Sequence, residues 1–198
     1  MTRFLLHLTK SISPKRTVVN KNKYSLRKKI LLTVDLFIIA GLYLADFFVE
    51  KFVIENLKGK GSYIIIENVL QLTYKENSGG LFGFLNNQQL FIMFICLILF
   101  FPVFIILIRL PDGKKYTIAN FMLSFILAGS AGNFIDRAKY KHAVDYIYFI
   151  NVDFPVFNLS DLYITIGCLV ILILLVFYYK EIDLVFMNFK KAYFREIK

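Results

Sequence analysis

Four segments of this chain, residues 30–49, 90–108, 116–135 and 162–179, are almost unbroken runs of apolar side chains. Each is about 20 residues long, the length an α-helix needs to cross the hydrocarbon core of a bilayer. Inside lipid a segment must satisfy its own backbone hydrogen bonds, so each run is expected to be a helix. The connections leave no room for a second folded unit, and 58% of the 198 residues are hydrophobic, too many for a water-soluble domain of this size. The expectation is one polytopic membrane domain of four helices.

The formal net charge of +10 could suggest nucleic acid, but its distribution argues against that. If the spans alternate, seventeen of the 24 Lys and Arg fall on one side: in residues 1–29, at Arg109, Lys114 and Lys115, and after Tyr179. The positive-inside rule then predicts that both termini are cytoplasmic. The excess charge reads as a topology signal and an attraction to anionic lipid, not as a nucleic-acid site. The only two cysteines, Cys96 and Cys168, lie inside spans with no Cys or His at ligand spacing, which predicts neither a disulfide nor a metal site. No segment has the form of a cleavable signal peptide.

The two outer connections carry strand signals. Residues 69–74 alternate apolar and polar, Gly79 and Gly80 mark a turn, and residues 146–152 are rich in β-branched and aromatic side chains. The fold class expected is an all-α membrane protein with four transmembrane helices and a small extracytoplasmic β-sheet built from the two outer loops. Residues 1–29 form a basic cytoplasmic extension, 30–179 the membrane domain and 180–198 a basic cytoplasmic tail. The first span is expected to end near Asp46 and the fourth to start at Asp161. This topology places Asp46, Asn77, Asp136, Arg137, Asp145, Asn158 and Asp161 at the outer interface.

Ionisable groups at membrane depth are costly and are functional candidates by default. Asp145 and Asp161 lack an adjacent cation and have apolar neighbours. A like charge nearby would raise one pKa until the pair shares a proton, which suits general acid–base chemistry on a peptide bond. The plainer alternatives are an exposed loop acid for Asp145 and a helix N-cap for Asp161. Gly129, Gly132, Asn133 and Asp136 share one helical face, either a packing seam or a polar wall beside a site. Asp136 stands next to Arg137, which predicts an ion-paired structural acid. Asn77-Ser78-Gly79-Gly80-Leu81-Phe82-Gly83 offers an amide and a flexible backbone, or simply a turn.

Three blocks together resemble the lipoprotein signal peptidases, the type II signal peptidases of bacteria. They are Asn77-Ser78-Gly79-Gly80-Leu81-Phe82-Gly83, Gly129-Ser130-Ala131-Gly132-Asn133-Phe134-Ile135-Asp136-Arg137 with Val144-Asp145-Tyr146, and Phe157-Asn158-Leu159-Ser160-Asp161. The resemblance implies a membrane-embedded aspartic endopeptidase of the inner membrane with its active site at the outer face. It would remove the signal peptide from diacylglyceryl-modified prolipoproteins, cutting before the lipidated cysteine. It implies Asp145 and Asp161 as the catalytic pair and Asn77, Gly79, Asn133, Arg137 and Asn158 against the substrate. Asp46, Asp136, Gly129, Gly132 and Phe82 would support the site. No cofactor is implied, and the partners are the prolipoprotein and membrane lipid, with the enzyme taken as a monomer. The chain departs from the family pattern at Glu50, where a lysine is usual, at Tyr146 for phenylalanine, at Ser160 for alanine and at Leu81 for alanine. The competing reading is a small proton-coupled transporter using the same carboxylates as a relay.

Overall fold

The computed structural model describes residues 25–79, 88–152 and 154–187. Phe82 and Leu81 lie outside the described residues, as do most of the basic N-terminal extension and the end of the tail. Four long helices run through the molecule: α1, Leu26–Leu57; α2, Gln89–Arg109; α3, Thr117–Tyr140; and α4, Leu159–Ile173. The last continues through one π-helical turn, Leu174–Tyr178. With a short 3₁₀ turn ahead of α3 and the π turn after α4, all four are long and apolar enough to cross a membrane. Their outward faces carry exposed Phe37, Phe94, Ile98, Leu172 and Phe177, a belt that only lipid can cover.

α3 is the central helix. Of its span, 61% is buried, against 11% for α1, 17% for α2 and 22% for α4. It is also the most polar of the four, because the faces it turns inward carry small and hydrogen-bonding residues. Its seam with α4 is glycine-based. A Cβ at Gly129 would overlap the Ser160 carbonyl oxygen and lie 2.8 Å from Ile164 Cγ1. A Cβ at Gly167 would lie 2.9 Å from the Met122 carbonyl oxygen. Absent side chains therefore bring the two backbones together.

Three strands form one antiparallel sheet in the order β1 (Tyr63–Ile66), β2 (Leu70–Asn77), β3 (Ala143–Phe149). Both outer connections contribute, as expected from the alternation of the first and the β-branched and aromatic residues of the second, but β1 is a strand beyond the expected pair. The boundaries differ from expectation. β3 begins at Ala143, so Asp145 is a strand residue paired across from Lys75, with Asn77 facing Ala143. It is 2% exposed, not a loop acid in solvent.

α1 is the largest departure. It continues eleven residues past Asp46, to Leu57. Glu50, Lys51, Glu55 and Lys58 interrupt its hydropathy, but Val53 and Leu57, one turn apart, form a small core with Val144 and Tyr146 beneath the sheet. Burying Val53 completely contributes about 1.5–3 kcal/mol, and this contact props the sheet on the helix end. At the other end Ser25 caps α1, its Oγ accepting from Lys28 N at 3.1 Å. Buried Lys28 donates from Nζ to the carbonyls of Leu107 and Leu110, 2.7 Å each, closing the end of α2. Between these ends, Asp35 of α1 accepts from Asn120 and Ser124 of α3, a buried polar contact that the sequence reading did not single out.

Candidate functional site

α4 begins two residues before Asp161. Its N-cap is Asn158, in extended backbone, whose side-chain oxygen accepts from Asp161 N at 2.8 Å. Asp161 is thus not the cap but the third residue of the helix, with its carboxyl free to turn aside. The same Asn158 amide donates from Nδ2 to Asp145 Oδ1 at 3.1 Å. One buried side chain, 1% exposed, therefore links the strand acid to the helix acid.

The Asp145 carboxyl has a second amide partner, and the Asp161 carboxyl has one of its own from another element. Asn77 at the end of β2 donates to Asp145 Oδ2 at 2.7 Å, and Gly79 N returns a hydrogen bond of 3.1 Å to Asn77 Oδ1. Asn133 of α3 donates to Asp161 Oδ1 at 2.8 Å. Arg137, one turn along α3, donates from Nη1 to Asn133 Oδ1 at 3.1 Å and to the Asn133 carbonyl at 3.2 Å. Asn133 is thereby oriented with its NH2 toward Asp161. Asp145, Asp161, Asn77, Gly79, Asn133, Arg137 and Asn158 form one cluster from β2, β3, α3 and α4.

The expected Asp136–Arg137 pair is not formed. Consecutive residues on a helix point in different directions, and Arg137 is committed to Asn133. Asp136 instead lies carboxyl to carboxyl against Glu50 of α1. Asp46 stands between that contact and the cluster. It accepts from Tyr146 Oη at 2.5 Å and from Ser160 Oγ. Gly132 faces this point, since a Cβ there would overlap Ser160 Oγ and lie 3.4 Å from Asp46 Oδ2.

Burial pushes the Asp145 carboxyl up to about 7, and the neighbouring Asp161 adds to the shift. The Asn77 hydrogen bond, Arg137 and Lys75 oppose it. Near neutral pH this acid therefore exchanges its proton readily, while its neighbour Asp161 is only partly exposed and held by the Asn133 amide. Two carboxyls that share a small number of protons in a niche of fixed amide donors can activate a water and protonate a leaving group in turn.

Tyr146 and Ser160 are the site residues that sequence reasoning noticed only as departures. A hydroxyl in an apolar run carries no distinctive pattern. Their positions immediately beside the two acids were the available signal.

The chain resembles known proteins over most of its length. A family model described as signal peptidase (SPase) II matches residues 38–177. The lipoprotein signal peptidase of Brevibacillus brevis is 38% identical over 138 residues, covering 69% of this chain and 91% of that protein. The one from Caldanaerobacter subterraneus is 36% identical over 141 residues, covering 71% and 94%. A solved structure of a bacterial membrane enzyme superimposes with a TM-score of 0.67 at 27% identity, covering 75% of this chain and 93% of that one.

Proposed function

This chain belongs to the signal peptidase II family, and from that premise we propose that it removes signal peptides from diacylglyceryl-modified prolipoproteins, cutting before the lipidated cysteine. It is a multi-pass bacterial membrane protein by its family and its four apolar helices. Asp145 and Asp161 are the catalytic pair in this reading. The observation that carries it is the Asn158 amide, which donates to one carboxyl and accepts from the backbone of the other.

One carboxylate takes a proton from a water held between the pair, and the water oxygen attacks the carbonyl carbon preceding the cysteine. The other, protonated, acid hydrogen-bonds the carbonyl oxygen as it becomes tetrahedral. When the C–N bond breaks, a proton passes to the departing amine, and the new carboxyl and amine leave with the pair restored to one proton. Asn77, Gly79, Asn133, Arg137 and Asn158 surround this space. The cleavage segment lies extended along the outer sheet by backbone pairing, while its acyl chains remain in lipid. Both termini are cytoplasmic and the pair opens to the outer face. The transporter alternative has no support among the relatives, which are peptidases by name.

The test is turnover of a diacylglyceryl-modified prolipoprotein peptide by purified protein. Asp145→Asn and Asp161→Asn should each reduce kcat by about 10³-fold or more, with the melting temperature retained. Near-wild-type turnover by either variant would remove that acid from the mechanism.

A further inference from the structure

We propose that Tyr146 and Ser160 are positioning residues whose two hydroxyls, clasped onto the single carboxylate of Asp46, fix the separation of Asp145 and Asp161. This rests on the catalytic reading of those two acids. Tyr146 immediately follows Asp145 in β3, and Ser160 immediately precedes Asp161 in α4. Successive side chains of a strand point to opposite faces, so Tyr146 reaches back into the bundle as Asp145 faces forward. Tyr146 Oη donates to Asp46 Oδ1 at 2.5 Å, and Ser160 Oγ donates to Asp46 Oδ2. Each oxygen of one carboxylate therefore holds the neighbour of one acid.

The clasp has a third tie. Leu159 N, the first amide of α4, donates to Tyr146 Oη at 3.2 Å. Asp46, Tyr146 and Ser160 are 4%, 1% and 1% exposed, so water does not compete for these hydrogen bonds. Hydrogen bonds to a charged acceptor are short and strong. Asn158 links the acids on the other side. The main chains are tied there too: Tyr146 N and Ile147 N donate to the Phe157 carbonyl at 3.0 and 2.7 Å, and Phe157 N donates to the Ile147 carbonyl at 3.1 Å. Those links hold the strand to the chain ahead of α4, and the clasp adds a side-chain tie behind the pair, between Tyr146 and the first turn of the helix. Gly132 leaves the room it requires, for any side chain there would displace Ser160 Oγ.

The test is a cycle of Tyr146→Phe, Ser160→Ala, the double variant, and the triple variant that adds Asp46→Leu. All are assayed for kcat, KM, pH profile and melting temperature on the lipidated peptide, beside Asp145→Asn. Each single change should lower kcat about 10-fold and the double about 10²-fold, with KM within about threefold. The loss arises from geometry, so the triple, which no longer buries an unpartnered carboxylate, should regain melting temperature while kcat stays low. Asp145 faces Asp161 from α4, Arg137 from α3 and Lys75 from β2. Letting Asp161 drift away lowers the Asp145 pKa, so the alkaline limb of kcat/KM should move to lower pH in the double variant. Wild-type kcat in the double variant, or recovery of kcat together with melting temperature in the triple, would overturn the clasp. In either case an inactive Asp145→Asn keeps the catalytic reading, and an active one refutes that reading instead.

Discussion

Asp145 sets the residue scale, because its environment works against its own ionisation. Its pKa rises from 3.8 to about 7, chiefly through burial. The folded protein therefore binds a proton between about pH 4 and pH 7 that the unfolded chain has released. By linkage, stability falls as pH rises through that window and levels off above it. Three units correspond to at most about 4 kcal/mol. The expected outcome is that melting temperature, followed from pH 5 to pH 8, declines less steeply in Asp145→Asn than in wild type. Parallel slopes would show that this carboxyl is not strained. The same property serves chemistry, since an acid titrating near 7 can both give and take a proton at working pH.

The seam between α3 and α4 is the decisive contact among elements. Gly129 meets the Ser160 backbone, where no flexible side chain can yield. Gly129→Ala should force the helices apart, lowering stability by about 1–3 kcal/mol and reducing kcat, because the displaced turn carries Asp161. A thermal melt with turnover on the same preparation checks both. Much at this scale was legible from sequence. The four spans followed from apolar length, and two of the three strands from alternation in β2 and β-branched and aromatic composition in β3; β1, Tyr63–Ile66, has no alternation and was not anticipated. The end of α1 did not, since Glu50, Lys51 and Glu55 end the hydropathy signal while the helix continues wherever Val53 and Leu57 find the sheet. Asn158 as cap was hidden behind Asp161, an equally good capping residue by type. Adjacency in sequence pairs Arg137 with Asp136, but consecutive residues diverge around a helix and Arg137 reaches Asn133, one turn back. The Asp35–Asn120–Ser124 contact had a signal, an acid deep in an apolar run and two polar residues one turn apart, but its pairing needed the fold.

For the whole molecule, the proposed topology makes the sheet and the acid pair outward-facing and the Lys114–Tyr116 turn cytoplasmic. In a chain with Cys96 and Cys168 replaced by serine, Glu55→Cys should react with a membrane-impermeant thiol reagent on intact cells. Lys114→Cys should react only after the membrane is opened. The reverse pattern would invert the orientation. The two ends of the bundle are also built differently. The one that this topology places inside is closed by Lys28 on the last carbonyls of α2 and by the Lys115–Asp183 ion pair at 2.5 Å. The outer one is held by amides and a shared carboxylate around the cluster.

The length of α1 has its own meaning. From Leu26 to Asp46 the helix climbs about 30 Å at 1.5 Å per residue, the thickness of a bilayer's oily interior. Its first helical rung and the carboxylate behind the acid pair are thus spaced like the two boundaries of the tails. In the proposed orientation this spacing is a built-in gauge of depth: with the basic rim inside, the acid pair sits where hydrocarbon gives way to headgroups. A bilayer several ångströms thicker would draw that level below the surface, and processing should slow as acyl chains lengthen.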